Sequence, residues 1–415
     1  MGKDRNIYVY FDGEQVDAPV LMGVLTSTHL RGKEIFSFEF DKLWLADKRF
    51  RSFDPDLQLF TGRQYVPQDK DNFGIFLDST PDRWGRVLLE RREAELSKIE
   101  GRPVRNLFET DFLLGVFDGS RMGALRFKVD PDGDFLDNDS AMATPPWTSL
   151  RGLEEASLNL EDCADTQQSK WLRMLVAPGS SLGGARPKAN VLDCDGQLWI
   201  AKFPSRKDRR DVGAWEAVCT ELARRAGISV SEYRLERYGA DHHTFLTKRF
   251  DRTDDGRRRQ FTSAMTLLGY SDGERSQGAS YLEIAEWIER NCMNVEQNLL
   301  ELFRRIVFNI AISNCDDHLR NHGFIYAPKG WTISPAYDLT PDPSGYGLKL
   351  NISETDNALD FNLALSIIPY LGIKRDVAEQ LIEQVKRVVS SWRIVASDFG
   401  LSQSEQHLME SAFRF

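Results

Sequence analysis

Residues 314–323 read Asn-Cys-Asp-Asp-His-Leu-Arg-Asn-His-Gly and are the most informative ten positions of this sequence. They follow an apolar segment, Leu302–Ile312, that predicts a buried helix. They precede two short apolar runs, Phe324–Ala327 and Trp331–Ser334, which are separated by the turn signal Pro328-Lys329-Gly330. The sequence therefore predicts a polar loop between a helix and a β-hairpin.

Within this loop, Asp316 and Asn321 have the spacing Asp-x-x-x-x-Asn of kinase catalytic loops. In such loops the aspartate accepts the proton of the attacking hydroxyl and the asparagine holds Mg²⁺, which prefers oxygen ligands. The spacing predicts that Asp316 is a catalytic base and that Asn321 is a metal ligand. A turn residue at the end of a helix is the ordinary alternative for Asp316 by itself.

A second metal ligand is predicted from the register of the hairpin. If the hairpin is centred near position 329.5, Asn321 lies opposite Asp338, which belongs to Ser-Pro-Ala-Tyr-Asp-Leu-Thr at 334–340. Two-Mg²⁺ phosphoryl transfer needs an asparagine and an aspartate that meet in this way. A loop cap is the ordinary alternative for Asp338 alone, but Asp316, Asn321 and Asp338 together favour the catalytic interpretation.

A glycine-rich segment lies earlier in the chain, at residues 180–188, which read Ser-Ser-Leu-Gly-Gly-Ala-Arg-Pro-Lys. Two apolar runs follow it, Ala189–Leu192 and Leu198–Phe203, with turn residues between them at 193–196. This pattern predicts a hairpin that begins directly after the glycines.

Centring this hairpin between Cys194 and Asp195 places Lys202 opposite Pro187, at the same open end as the glycines. Backbone N–H groups in a glycine-rich loop can approach phosphate oxygens, and a nearby ammonium group supplies positive charge. The segment therefore predicts a nucleotide-phosphate site with Lys202 as its cation. A plain turn would also explain the glycines, and an edge-strand lysine would explain Lys202.

The composition limits the class of protein. The 415 residues carry 53 Lys and Arg against 63 Asp and Glu, and a net charge of −10 has the wrong sign for direct binding to nucleic-acid phosphates. Five cysteines without a Cys-x-x-Cys pair fit neither a zinc ribbon nor a disulfide framework. The longest charge-free stretches have 13 residues, too few for a membrane span, and no signal-peptide core is present. We expect a cytoplasmic protein.

The order of elements predicts an α+β fold in three regions. Residues 1–140 have the pattern of a β-rich subdomain, and a polar stretch within 130–150 is the predicted boundary. Residues 150–280 form the predicted nucleotide-binding region, and residues 281–415 form a mainly helical lobe with the catalytic and metal loops.

Local patterns predict individual elements. Strands are predicted at Ile7–Phe11, Glu34–Phe40 and Gly123–Val129. One helix is predicted to begin at Thr80 as its N-cap, and another is predicted over residues 212–226.

Six separated segments together resemble a known family. In chain order they are Asp78–Arg86, Leu113–Phe127, Ser181–Lys188, Leu246–Arg252 (Leu-Thr-Lys-Arg-Phe-Asp-Arg), Asn314–Gly323 and Pro335–Leu339 (Pro-Ala-Tyr-Asp-Leu). Their sequence and order resemble the HipA family of bacterial toxin kinases over nearly the whole chain.

The resemblance implies a protein-kinase-like two-lobed fold, ATP and Mg²⁺ as cofactors, and serine/threonine protein kinase activity. It implies that Lys248 and Phe250 belong to a hinge that holds adenine, and that Ser181 is autophosphorylated. The residues that would contact the nucleotide through the glycine-rich loop are Ser181, Gly183, Gly184 and Ala185.

The resemblance also implies partners. A DNA-binding helix-turn-helix antitoxin similar to HipB would bind the chain, and DNA would be reached only through it. The protein substrate would belong to translation, such as an aminoacyl-tRNA synthetase. Asp317 is a second acid beside the predicted base, but the five-residue spacing to Asn321 favours Asp316.

Two other functions remain open at the level of sequence. One is a metallophosphohydrolase with Asp316, Asp317, His318 and His322 as ligands, although six histidines without a partner motif leave such a metal short of ligands. The other is a non-catalytic corepressor that binds an antitoxin.

Overall fold

The computed structural model describes residues 4–81, 83–136, 144–161, 171–172, 174–176, 186–271, 273 and 278–415. The chain divides into two compact units. The first contains Met1–Lys207, Tyr238–Ala240 and Asp251–Thr262, and the second contains Asp208–Arg237, Asp241–Phe250 and Ser263–Phe415. The predicted region 1–140 belongs to the first unit and 281–415 to the second, while the three-part division stays a prediction.

The first unit is built on an antiparallel five-stranded sheet in the order β4-β3-β2-β1-β5. Its strands are β1 (Asp4–Phe11), β2 (Val20–Leu30), β3 (Lys33–Phe40), β4 (Arg63–Tyr65) and β5 (Leu125–Lys128). In β1, Ile7, Val9 and Phe11 are fully buried and alternate with less buried residues, as expected of a strand with one face on the core. The strands predicted at these places are confirmed.

The first unit also contains helices. They are α1 (Lys42–Ala46), α2 (Gly74–Leu77), α3 (Arg83–Glu100), α4 (Glu109–Leu114) and α5 (Leu150–Glu161). The predicted start of α3 at a Thr80 cap is wrong, because Pro81, which would then be the first helical residue, is not part of the helix. The Thr80 hydroxyl instead donates to the Leu77 carbonyl at 2.7 Å, at the end of α2.

The hairpin after the glycine-rich segment consists of β6 (Lys188–Leu192) and β7 (Leu198–Lys202). Lys202 pairs with Lys188, so the predicted partner Pro187 is wrong by one residue. The turn contains three residues between Asp193 and Gln197 rather than the predicted four at 193–196, because Gly196 adopts a φ of +75° and the Asp193 side chain accepts backbone N–H bonds across the loop.

The second unit is mainly helical. Its helices are α6 (Val212–Arg225), α7 (Ala264–Leu267), α8 (Tyr281–Asn291), α9 (Val295–Ala311), α10 (Phe361–Ser366), α11 (Arg375–Val389), α12 (Trp392–Asp398) and α13 (Gln403–Met409). Its hairpins are β8 (Tyr233–Glu236) with β9 (Thr244–Lys248), and β11 (Gly323–Ala327) with β12 (Gly330–Ile333). The chain passes from the first unit to the second within β10 (Gln260–Ser263).

The core of this unit includes α6, whose prediction is confirmed. Its side-chain cap is Asp211, which accepts the Ala214 N–H at 3.0 Å. Trp215 packs against Trp392 and Phe413, with ring centroids 6.0 and 5.9 Å away. In the part of the chain that the structure describes, no helix combines the length and the apolar character needed to cross a membrane.

The hairpin β11–β12 has a different register from the prediction. Ala327 pairs with Gly330, so only Pro328 and Lys329 form the turn and the hairpin is centred at 328.5. Extended toward the catalytic loop, this register places Ala336 rather than Asp338 level with Asn321. The predicted ladder position of Asp338 is therefore wrong, because Gly330 is a strand residue and not a turn residue.

Candidate active site

The predicted catalytic loop (314–323), called the catalytic loop below, begins where α9 ends in a buried turn. Ser313 has a φ of +49°, and the Asn314 N–H donates to the Asn309 carbonyl at 2.9 Å. The Arg414 guanidinium donates to the Ser313 hydroxyl at 2.9 Å. The start of the loop is therefore fixed by a helix end and by the C-terminal segment of the chain.

Asp316 and Asn321, which we call the outer pair, are joined across the loop. The Asn321 side-chain amide donates to the Asp316 backbone carbonyl at 3.2 Å, and the Asn321 N–H donates to the His318 carbonyl at 2.8 Å. Asp316 is exposed, whereas Asn321 is buried. The carboxylate of Asp316 is thus accessible to a substrate, and the amide oxygen of Asn321 is the end of its side chain left for a ligand.

Asp317 and His322, which we call the inner pair, belong to the same loop, and their side chains are buried. Both are almost fully buried, with 3% and 2% of their surfaces exposed. His322 Nε2 lies 2.7 Å from Asp317 Oδ2 and carries the proton of this contact, since an ionised carboxylate only accepts. The Tyr281 hydroxyl donates to the same oxygen at 2.5 Å.

These contacts stabilise the negative charge of Asp317. Burial raises the pKa of Asp317, but the neighbouring His322 and the hydrogen bonds from His322 and Tyr281 outweigh it, so this pKa lies below its ordinary value. Burial and the Asp317 charge raise the pKa of Tyr281 well above its ordinary value. Asp317 is therefore an ionised carboxylate that is already engaged by two donors.

The predicted metal loop (335–339), called the metal loop below, contacts the catalytic loop through Tyr337. The Tyr337 hydroxyl donates to the Arg320 carbonyl at 2.6 Å, one residue before Asn321. Asp338 follows with a φ of +56°, an uncommon conformation that aspartate tolerates better than most residues. A side-chain hydrogen bond thus connects the two loops where the sequence predicted a strand ladder.

The predicted hinge also contacts the metal loop. The Lys248 N–H donates to the Glu232 carbonyl at 2.8 Å, which holds the end of β9 in extended form. The Phe250 ring packs against the Tyr337 ring with centroids 5.6 Å apart. Tyr337 therefore contacts both the hinge and the catalytic loop, and sequence reasoning gave it no role.

In the first unit, Lys202 and Lys188 face each other across the strands β6 and β7. Like charges directly opposite each other in a sheet are unfavourable unless an anion or a carboxylate compensates them. The Lys188 carbonyl accepts the Trp84 indole N–H at 3.0 Å, which fixes the start of β6. The predicted loop residues Ser181, Gly183, Gly184 and Ala185 lie outside the described residues.

A close contact between Gly345 and Cys315 lies next to the outer pair. A Cβ atom at Gly345 would lie 2.0 Å from the thiol sulfur of Cys315, directly before Asp316. Burial and the carboxylate of Asp342 raise the pKa of this thiol. Only glycine allows the chain after the metal loop to pass this close to the catalytic loop.

Sequence reasoning missed the contact between Asp317 and His322, although one signal was present. Asp317 and His322 have the same separation as Asp316 and Asn321, shifted by one residue. Tyr281 carried no such signal, because it contacts Asp317 from 36 residues away in the chain.

Residues 180–392 match the family described as the HipA-like C-terminal domain. This segment is more than half of the chain, and the protein belongs to that family. The resemblance stated from the sequence motifs is thereby confirmed.

The chain is similar to two curated relatives over about half of its length. It is 30% identical over 219 residues to "Putative kinase Y4dM" of Sinorhizobium fredii, and 24% identical over 221 residues to the serine/threonine-protein kinase toxin HipA of Shewanella oneidensis. The alignments cover 48% and 47% of this chain and 52% and 50% of those proteins. The chain therefore spans about half the length of the curated relatives it matches.

A solved structure shows the fold. The chain matches a structure of the Shewanella oneidensis MR-1 toxin–antitoxin complex of HipA, HipB and operator DNA with a TM-score of 0.64 and 17% identity. The match covers 97% of this chain and 94% of that chain. The α+β, HipA-like fold predicted from the sequence is confirmed.

Proposed function

We propose that this protein is an ATP- and Mg²⁺-dependent serine/threonine protein kinase that acts as the toxin of a toxin–antitoxin pair. The observation that carries the proposal is the outer pair: an exposed Asp316 whose backbone carbonyl is held by the Asn321 amide at 3.2 Å. Membership of the HipA-like family and the kinase descriptions of its relatives support the same conclusion.

Asp316 is the proposed general base. It is exposed, so a serine or threonine hydroxyl of a protein substrate can approach it, and its carboxylate would accept the hydroxyl proton as the oxygen attacks phosphorus. Asp317 does not fit this role, because its carboxylate is buried and bonded to Tyr281 and His322. The structure thus supports the choice between the two acids that the motif spacing favours.

The donor set of the second unit fits Mg²⁺. The Asn321 amide nitrogen is bonded to a carbonyl, which leaves the amide oxygen as the ligand atom, and Asp338 offers a carboxylate on a loop tied to the same segment. Oxygen ligands of this kind are those that Mg²⁺ prefers. Asn321 and Asp338 would hold the ion, which neutralises phosphate charge when bound.

The remaining assignments concern the nucleotide. Lys202 would compensate the charge of the phosphates, and Ser181, Gly183, Gly184 and Ala185 would contact them through the glycine-rich loop. Lys248 and Phe250 would hold the adenine, with Leu246, which is fully buried, as apolar support. Ser181 is the proposed site of autophosphorylation.

The relatives also support a proposal about partners. The HipA structure that matches this fold contains HipB and operator DNA. We propose a HipB-like DNA-binding antitoxin as partner here, and a cytoplasmic protein of translation, such as an aminoacyl-tRNA synthetase, as substrate. The net charge of −10 favours contact with DNA only through the partner.

Phosphate transfer from labelled ATP tests the proposal. The wild type should label itself at Ser181, as mass spectrometry would show, and Asp316→Asn should abolish labelling while it leaves the protein folded. Asp398→Asn, another exposed aspartate of the second unit, is the matched control and should label normally. Absence of transfer from a wild type that binds ATP would contradict the kinase and favour the corepressor.

The metallophosphohydrolase has less support. Among the residues that the structure describes, no three His, Cys, Asp or Glu side chains are grouped so that they could hold a metal ion. Two of its four proposed ligands, Asp317 and His322, bind each other instead.

A further inference from the structure

We propose that the inner pair, Asp317 and His322, is a positioning device that sets the geometry of the outer pair. The consequence for phosphate transfer rests on the proposed function, whereas the effect on the shape of the loop does not. Neither residue would touch the nucleotide or the substrate, because both side chains are buried.

The two pairs form neighbouring connections across the same loop. Asn321 bonds to Asp316, and His322 bonds to Asp317, so each connection joins residues five positions apart and the second follows the first by one residue. Loss of the contact between Asp317 and His322 would therefore release the backbone directly after each residue of the outer pair. The inner pair fixes the span over which the Asn321 amide must reach the Asp316 carbonyl.

The aspartate of the inner pair is anchored to two helices. Tyr281, which donates to Asp317, is the first residue of α8, where Ser280 and Glu283 form a capping box. The Tyr281 hydroxyl accepts a bond from the Asn309 side chain of α9 at 3.4 Å. The position of the Asp317 carboxylate is thus fixed by α8 and α9 and not by the loop alone.

The histidine is held in the same way. The His322 carbonyl accepts the N–H of Ala264, the first residue of α7, at 2.7 Å, and the His322 ring lies edge-on to the Tyr281 ring with centroids 5.6 Å apart. A catalytic loop that is supported from three helices can keep its base and its metal ligand in place before substrate arrives. Preorganisation of this kind is what lets residues behind a ligand change activity without touching it.

Substitutions in the full-length chain test the inference. Asp317→Ala removes both acceptor bonds and should lower kcat about tenfold or more, while the KM for ATP changes by less than about threefold, as expected for a support behind ligating residues. Asp317→Asn keeps an oxygen acceptor of the same shape and should recover most of that loss. Asp54→Asn is the matched control, since Asp54 is equally buried and accepts two backbone N–H bonds in the first unit, and it should leave kcat unchanged.

Hydrogen–deuterium exchange provides a readout that does not need activity. In Asp317→Ala, peptides that cover 314–323 should exchange faster than in the wild type, while peptides from α9 and α11 keep their protection. If the wild type proves inactive, the proposed function fails, and this local change alone still decides whether the inner pair shapes the loop.

Two results would overturn the inference. One is an Asp317→Ala variant with full kcat and a lowered melting temperature, which would make the pair a source of stability only. The other is unchanged exchange at 314–323.

Discussion

Asp316 and Asp317 are neighbours in the chain and carry the same carboxylate, but they lie in opposite surroundings. Asp316 is exposed at the surface of the catalytic loop, and the side-chain amide of Asn321 bonds to its backbone. Asp317 is buried and is engaged by Tyr281 and His322. The difference shows that environment, and not residue type, separates a group available for chemistry from a group that fixes structure.

The same contrast extends to the metal loop. Asp338 is next to Tyr337, whose hydroxyl is bonded to the catalytic loop and whose ring packs on Phe250. Asp338 would act on a ligand, whereas Tyr337 connects the metal loop to the catalytic loop and to the hinge. We therefore expect substitutions of the residues that act on ligands and substitutions of the residues that support them to have different effects.

The largest effects are expected for the two acids that would act directly. Asp338→Asn and Asp316→Asn should each reduce phosphate transfer by about a thousandfold or more in a folded protein. Excess Mg²⁺ should partly rescue Asp338→Asn, because a weakened metal site fills at higher concentration, and should not rescue Asp316→Asn. Titration of Mg²⁺ in the transfer assay measures this, and equal rescue of both variants would show that their roles are wrongly assigned.

A substitution that crowds the contact between Gly345 and Cys315 should lower the stability of the protein and not only its activity. Gly345→Ala places a methyl group against the Cys315 thiol, so we expect a loss of about 1–3 kcal/mol in the free energy of unfolding, the usual cost of overpacking. Chemical denaturation measures it. The double variant with Cys315→Ala should recover part of the loss, since the sulfur atom is then absent, and a double variant as unstable as Gly345→Ala would contradict the contact.

A smaller effect is expected at Tyr337. Tyr337→Phe keeps the ring that packs on Phe250 and removes only the hydrogen bond to Arg320, which is worth about 0.5–1.5 kcal/mol. We expect a few-fold weaker binding of Mg²⁺-nucleotide, measured by calorimetry. Tyr337→Ala should weaken binding further. Identical affinities for both variants would show that the ring contact with Phe250 does not contribute to binding.

The smallest effect is a dependence on pH. The pKa of Asp317 is lowered in the folded protein, so its contribution to stability is present above the pKa of the unfolded carboxyl, about 4, and is lost as pH falls through the lower folded value. The stability difference between wild type and Asp317→Asn should therefore shrink on acidification below about pH 4. A difference that stays constant from neutral to acidic pH would mean that Asp317 is not ionised in the fold.

Much of the fold follows from local sequence patterns. The alternation in β1 and β3 and the helical spacing in α6 are properties of short segments, and the structure has these elements at the predicted places. The strand β2 was missed, because Val-Leu-Met-Gly-Val-Leu at its start shows no alternation. Family motifs, which lie far apart in the chain, supplied the rest of the fold.

The details of the site were harder to predict for a physical reason. The register of a hairpin depends on the number of residues in its turn, and in both hairpins the observed turn is one residue shorter than predicted. The contacts of Asp317 with Tyr281 and of Tyr337 with Arg320 join residues 36 and 17 positions apart, and no local pattern encodes them. The spacing of Asp316 and Asn321, by contrast, is local, and the structure joins these two residues.

Phosphate transfer and thermal unfolding, measured side by side for wild type, Asp316→Asn and Asp317→Asn, test the central claim most directly. We predict that Asp316→Asn keeps the melting temperature of the wild type and loses transfer, whereas Asp317→Asn lowers the melting temperature and keeps most of the transfer. The reverse pattern, in which Asp317→Asn abolishes transfer at unchanged stability and Asp316→Asn remains active, would contradict the account.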